Sequence, residues 1–385
     1  MEMKKVGVIG IGFTKVGEHW NVGLDDLFVE AAIKAMDDAG VSKVDALYVG
    51  NMLCMFLRDQ GHLGAYLADK LGFPGIHAVR IEAGCASGGV ALAEAVLAVK
   101  SGKFKNVLVG GVEKMTDSLT SEVTYGLAFA EDMYGMEYSG TTFIGLNAMI
   151  HRMYMEKYNV SEEEMISLAI QSHENASKAK HAMLRRKVSF EEALNSPLIA
   201  DPIRLYDASP ICDGAAALIL TPIDEDEDGT VEVAGSSVST QVMSVYERED
   251  MLWFDATFKA ASEALTEARL SIKDIDVIEV HDAFTITGIL SLEALKVFDR
   301  GKAAKEVAAG KTRLNGEIPV NTFGGLKARG HPIGATGIYQ VAEAVLQIRG
   351  EAGENQVKKE VKTALTQNIG GVDSTSAVHV LRRVK

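Results

Sequence analysis

The chain repeats itself. Val44-Asp45-Ala46-Leu47-Tyr48-Val49 and Ile275-Asp276-Val277-Ile278-Glu279-Val280 share one strand pattern, and each follows an amphipathic helix, over Asp25–Ala39 and Asp255–Ala268, with Phe28 and Phe258 in equivalent places. Further on, Ala93-Glu94-Ala95-Val96-Leu97 recurs as Ala342-Glu343-Ala344-Val345-Leu346, and in that register Gly88 falls on Gly337 and Cys85 on Gly334. One five-residue match is within chance for an alanine-rich chain, but its agreement in order and spacing with a strand and a helix marks a duplication. Each half reads strand, helix, strand, helix, strand, which predicts an α/β protein of two related halves. The first half is placed at residues 1–114 and 199–230, and the second at 231–385. Between them, residues 115–198 are rich in methionine and charge and end at the punctuation of Pro197, Pro202 and Pro210, which reads as an inserted loop domain. Inside it, Ser161 followed by Glu164 forms a capping-box signal for a helix through Met165, Leu168 and Ala169 out to Lys180. The first half resumes near Asp213–Leu220 and leads to an acidic turn over Asp224–Gly229.

Composition narrows the function classes. With 385 residues, 47% of them hydrophobic, the chain can bury a large core. No apolar run reaches the roughly 18 residues of a membrane span, and Met1–Lys5 leads directly into the strand-like Val6–Ile11, so a soluble cytoplasmic protein is expected. The formal net charge of −14, with acidic clusters at Glu162–Glu164 and Asp224–Asp228, argues against a nucleic-acid or anionic-membrane surface. An anionic ligand needs a local basic pocket. Lys178, Lys180, Arg185, Arg186 and Lys187 form the best candidate for meeting the phosphates of a nucleotide-like handle, a solvated helix face being the plainer reading of the same run. Cys54, Cys85 and Cys212 show neither a disulfide framework nor a Cys-x-x-Cys metal spacing, so free thiols, no bound metal and a reducing compartment are expected.

Four segments carry chemistry. Glu82-Ala83-Gly84-Cys85-Ala86-Ser87-Gly88-Gly89 precedes the helical Val90–Lys100, which puts the Cys85 thiol near a helix N-terminus, where unpaired N–H groups favour thiolate; its plainer reading is a small buried hydrophobe. Asn321–Gly337 holds His331 in a glycine-rich stretch, with Pro332 suited to the first turn of the helix carrying Val341–Ile348. The duplication makes this helix the partner of the one after Cys85, so the two helix heads face one site and bring a base to a nucleophile far away in sequence. Glu279-Val280-His281-Asp282-Ala283-Phe284 ends the repeated strand, where His281 either polarises a carbonyl or moves a proton, or only pairs with Asp282. Asn368-Ile369-Gly370-Gly371 follows the apolar Val361–Leu365 and offers a glycine N–H to an oxyanion.

In order and in residues, Gly84-Cys85-Ala86-Ser87-Gly88-Gly89, Asp213-Gly214-Ala215-Ala216-Ala217, His281-Asp282-Ala283-Phe284, the Gly324–Gly337 segment and Asn368-Ile369-Gly370-Gly371 resemble the motifs of the thiolase family over nearly the whole chain. The resemblance implies two αβαβα halves in a five-layered core with an inserted loop domain, assembled as dimers or tetramers. It implies coenzyme A thioesters as substrates, no permanently bound cofactor, and a Cys85 that carries the acyl group. It further implies oxyanion donors from His331 with the His281 region at one position, and from the N–H groups of Cys85 and Gly370 at another. The activity implied is condensation of two acetyl-CoA to acetoacetyl-CoA, or the reverse thiolysis.

The chain departs from the pattern at the second catalytic cysteine. The best-known branches have that acid/base thiol where this chain has Asn368, and the lipid-transfer-protein branch has it where this chain has Ala283. An amide and a methyl group remove no proton, so His281 is the favoured base; Cys212 reaching the site, or a reaction needing no proton abstraction, are the alternatives. The last would make the chain a decarboxylating β-ketoacyl synthase using Cys85, His281 and His331. A third reading is a weakly catalytic acyl-CoA or lipid-binding subunit. Resemblance to archaeal-type thiolases lacking the second cysteine implies hydroxymethylglutaryl-CoA synthase and a small zinc-ribbon/OB-fold protein as partners. Met133, Met136, Met149 and Met153 either line the acyl pocket or pack around it.

Overall fold

The computed structural model describes residues 4–224 and 230–384; beyond Asp224, the acidic turn expected over Asp224–Gly229 lies outside the described residues. The strands are β1 (Lys5–Phe13), β2 (Ala46–Gly50), β3 (His77–Ile81), β4 (Val107–Glu113), β5 (Leu198–Ala200), β6 (Ile203–Arg204), β7 (Gly214–Ile223), β8 (Val231–Thr240), β9 (Val277–Glu279), β10 (Thr363–Gly370) and β11 (Thr375–Arg383). Nine of them bond in the order β3-β2-β4-β7-β1-β8-β11-β10-β9, while β5 and β6 form a separate hairpin.

That order is close to a palindrome: β2-β4-β7-β1 is answered by β9-β10-β11-β8. The halves meet through a short β1–β8 contact, Gly7 opposite Glu232 and Val8 opposite Val231. The equivalence reaches single hydrogen bonds. Asp45 accepts from the N–H groups of Lys105 and Asn106, both at 2.9 Å, and its counterpart Asp276 accepts from Lys362 and Thr363 at 2.9 and 3.1 Å.

Helices Leu24–Ala39 and Asp255–Ala268 cover the two outer faces, each against the strands of its own half. The first buries Leu27, Phe28, Ala31, Ala32, Ala35 and Met36 along one stripe, the pattern of a helix with one wet side. Helices Ser87–Lys100 and Thr336–Arg349 instead touch strands of both halves, and Thr336–Arg349 is buried on nearly every side. The layers are therefore helix, sheet, helix, sheet, helix, as expected from the duplicated αβαβα pattern. The central helices cross at their heads because Gly88 and Gly337 have no side chains: a Cβ on Gly88 would sit 2.8 Å from the Gly334 carbonyl oxygen, and one on Gly337 2.5 Å from the Gly89 nitrogen.

The symmetry fails in one place. The counterpart of β3 shrinks to a single bridge between Ile278 and Val320, and the chain then runs through a tight turn over Gly325–Arg329, with Gly324, Gly325 and Gly330 at positive φ. His331 stands at its end, and the regular helix begins only at Thr336, after a short turn over Ile333–Ala335. Pro332 thus precedes the helix instead of occupying its first turn.

The inserted segment leaves the sheet at Glu113 and returns at Gly214. Its helix Glu162–Ala176 starts on the Ser161–Glu164 capping box and ends short of Lys180. The β5–β6 hairpin and the turn Leu205–Asp207 pack on inserted helices Phe143–Tyr158 and Glu162–Ala176, whereas Asp213 pairs with Gly17 of the first half. The same helices share a hydrophobic core with the second half through Leu146, Ile150 and Leu168 against Ile286, Ile289 and Leu290. Met133, Met136 and Met153 all join or pack on that core, and Met136, Met149 and Met153 line a cavity of about 390 Å³. No described helix is long and apolar enough to cross a membrane.

Candidate active site

Cys85 follows a tight turn that the Ser87 hydroxyl locks by donating to the Gly84 carbonyl at 2.6 Å and accepting from the Ala83 N–H at 3.0 Å. Its side chain is buried. Burial pushes the thiol up to about 12, Glu113 and Glu82 add to the shift, and the N–H groups of Gly371 and of Cys85 itself oppose it. The helix N-terminus favours thiolate, but burial is the larger effect and shifts the thiol upward.

The fold brings His281 and His331 to this thiol. Sγ and one nitrogen of each imidazole lie within 4.8 Å of one another, and the two rings meet edge to face with centroids 5.0 Å apart. Both imidazoles are held neutral, primarily by burial. His331 falls to about 3 with Arg329 contributing; His281 falls well below its usual range, with His331, Arg329 and Lys327 contributing.

Asn368 decides which nitrogen of His281 carries hydrogen. Its Oδ1 accepts from the Gly89 N–H at 3.1 Å and its Nδ2 donates to the Cys85 carbonyl at 3.0 Å, so two backbone groups of opposite character fix the amide orientation. That same NH₂ group faces His281 Nδ1 at 3.1 Å. Nδ1 must accept, and the hydrogen of the neutral ring resides on Nε2. In His331 the assignment is reversed. The Thr336 hydroxyl lies 3.0 Å from the Pro332 carbonyl and 2.6 Å from Nδ1 of His331; with its one hydrogen placed on the carbonyl, its oxygen accepts from Nδ1–H. Nε2 of His331 then presents a lone pair, buried and without a hydrogen-bond partner. The resting site holds one donor, His281 Nε2–H, and one acceptor, His331 Nε2. In this arrangement His281 Nε2 is the donor and His331 Nε2 the acceptor, whereas the sequence favoured His281 as the base and the family resemblance implied an oxyanion-donor role for His331.

Other expected residues fall as follows. Asp282 accepts from the Leu326 N–H at 2.7 Å and the Ser172 hydroxyl at 3.4 Å, so the reading in which His281 merely pairs with Asp282 does not hold. Ala283 is buried. Gly370 closes the β10–β11 ladder opposite Thr375, and a Cβ there would meet the Ala83 carbonyl oxygen at 2.2 Å; the N–H that meets the sulfur is that of the next residue, Gly371. Cys212 is fully buried, its sulfur accepting the His331 backbone N–H at 3.0 Å, which makes it a support for the His331 loop. Arg186 pairs with Glu192 and donates to the Tyr206 hydroxyl at 2.7 Å, while Arg185 and Lys187 are exposed.

Three supports were not foreseen. Fully buried Glu113 accepts from the N–H groups of Met52, Leu53 and Gly334, all at 3.0 Å, and from the Asn51 amide at 2.9 Å, tying the loop after β2 to the segment that follows His331. Its signal in sequence was a lone carboxylate ending an apolar strand. Arg329, also fully buried, pairs with Glu343 at 3.0 Å, and Lys327 donates to the carbonyls of Asp282 and Asp207 at 2.8 and 3.1 Å. These two cations stand behind the histidines.

Comparison with known proteins agrees with this arrangement. Residues 6–224 match the family model for the thiolase N-terminal domain, and residues 236–383 the thiolase C-terminal domain-like model. The chain is 44% identical to a Methanothermobacter thermautotrophicus protein named acetyl-CoA acetyltransferase, over 99% of this chain and 100% of the relative. It is 38% identical to a Methanocaldococcus jannaschii protein of the same name, over 98% and 99% of the two chains. Among solved structures, an Ltp2–ChsH2(DUF35) aldolase superposes with a TM-score of 0.85 at 22% identity, covering 100% of this chain and 99% of that one. The chain belongs to the thiolase family.

Proposed function

We propose that the chain is an acetyl-CoA C-acetyltransferase that joins two acetyl-CoA into acetoacetyl-CoA and coenzyme A, or runs the reverse thiolysis, through an acetyl group carried on Cys85. The observation that carries the reading is the convergence of Cys85, His281 and His331 within 4.8 Å at the crossing heads of the two central helices. The names of the two archaeal relatives support acetyl groups as the substrate class. Coenzyme A thioesters are substrates, and no permanent cofactor is invoked. The N–H of Gly371, with that of Cys85, provides donors for the acyl oxygen, and His281 Nε2–H provides one for an enolate oxygen. Arg185 and Lys187 are proposed to meet the phosphates of coenzyme A.

We place the enzyme in the cytoplasm as a homodimer or homotetramer, feeding hydroxymethylglutaryl-CoA synthase in a mevalonate-type route. Condensation of two acetyl-CoA is uphill, so a partner that removes the product favours it. The solved neighbour that pairs Ltp2 with a DUF35 protein supports association with a small second subunit, proposed as a zinc-ribbon/OB-fold protein.

The test is thiolysis of acetoacetyl-CoA by coenzyme A, together with the intact mass of the enzyme after incubation with acetyl-CoA. Expected are turnover, retained in the presence of a chelator, and one acetyl adduct that disappears in Cys85→Ala. Strict dependence on malonyl thioesters would identify a decarboxylating synthase instead, and absence of the adduct would favour a binding subunit.

A further inference from the structure

Resting on the thiolase reading, we infer that His331 is the single base of both half-reactions and that His281 serves only as a hydrogen-bond donor. Asn368, held by Gly89 and Cys85, occupies Nδ1 of His281 and leaves its Nε2 with a hydrogen. Thr336 occupies Nδ1 of His331 and leaves its Nε2 with a free, buried lone pair. Cys212 gives its lone pair to the His331 backbone, and Ala283 has nothing to offer. His331 Nε2 is thus the acceptor left to the reaction. Reach is adequate as well: the attacking carbon must come within roughly 3–3.5 Å of the acyl carbon on Sγ, and a ring nitrogen of His331 lies within 4.8 Å of Sγ.

The proton balance closes with one base. In acylation, the Cys85 proton passes to His331 Nε2 as sulfur bonds the acetyl carbon; the bond from that carbon to coenzyme A breaks, and the departing thiolate takes the proton from His331. The imidazole is then neutral again. In condensation, His331 Nε2 removes a methyl proton from the second acetyl-CoA while His281 Nε2–H binds the enolate oxygen. The carbanion attacks the acetyl carbon, the bond to Sγ breaks, and the Cys85 thiolate recovers the proton from His331. A second cysteine is unnecessary because the base is emptied by the leaving thiolate before the second proton arrives.

The inference is tested by hydrogen–deuterium exchange at the methyl group of acetyl-CoA in heavy water, read by mass spectrometry in a Cys85→Ala background where no condensation follows. Exchange is expected to persist in Cys85→Ala and to fall to the uncatalysed rate in Cys85→Ala/His331→Gln. In Cys85→Ala/His281→Asn, which keeps a donor and has no base, exchange should drop by less than about 10²-fold, the effect of weakening one oxyanion donor. The single variant His281→Asn should still form the acetyl adduct on Cys85, which shows that its site is assembled. Exchange that survives loss of His331, or vanishes with His281→Asn while the adduct forms, overturns the single-base scheme. Absence of an adduct on the unmodified enzyme overturns the thiolase reading itself, a distinct outcome.

Discussion

At Cys85, two sequence features pull in opposite directions. The helix head favours a thiolate, whereas the apolar surroundings and Glu113 favour the thiol, and desolvation is the larger effect. Alkylation by iodoacetamide without substrate should therefore accelerate about tenfold per pH unit from 7 to 9, following the thiolate fraction, with no plateau; a plateau near neutrality would show a preformed thiolate. Asn368 is equally decisive, since one side chain orders the Cys85 carbonyl, the Gly89 N–H and the His281 ring. Asn368→Ala leaves these groups without their partner at a cost of about 1–3 kcal/mol. It also frees His281 to exchange its tautomers. Turnover should fall by about 10²-fold, the scale set by losing one oriented oxyanion donor, and a wild-type kcat would refute the orienting role.

At the level of elements, the paired helices Ser87–Lys100 and Thr336–Arg349 build the site by crossing at their heads. Gly337 is the tighter contact, since a Cβ there would meet Asn368 Oδ1 at 2.4 Å and the Gly89 nitrogen at 2.5 Å. Gly337→Ala should destabilise the protein by roughly 1–3 kcal/mol, as overpacking does, and should also slow turnover by displacing Asn368. A neutral melting temperature in this variant would mean that the heads have room to separate. The repeat places Gly88 and Gly337 at matching positions, one at each helix head. It did not foretell Glu113, whose four donors join the loop after β2 to the segment following His331, because a carboxylate at a strand end gives no sign in sequence of the segments it will bind.

For the whole molecule, the buried titratable groups predict how stability varies with pH. His151, His173 and His379 are lowered to about 4, His331 to about 3 and His281 well below its usual range, in every case mainly by burial. The unfolded chain protonates these rings below about 6.5, so their burial costs stability there and the cost disappears as pH rises to that value. Burial raises Glu113, Glu131 and Asp373 to about 7 and Glu279 to about 8. A raised carboxyl stabilises the fold below its unfolded value of about 4.5, and that contribution is lost as pH passes the folded value. Above 6.5 the histidines add no further change, so the carboxyl loss should make melting temperature decline from pH 6.5 toward 8. A steady rise across that interval would contradict the assignment. The duplicated α/β halves, the central helices and the identity of Cys85, His281 and His331 were legible in the linear chain, because hydrophobic periodicity and glycine spacing act over neighbouring residues. The thiol's protonation and the placement of hydrogen on each imidazole were decided only by the tertiary structure. They depend on how deeply the fold buries the site and on partners such as Asn368 with Gly89, 279 residues apart in the chain, and no local pattern encodes contacts between segments so distant.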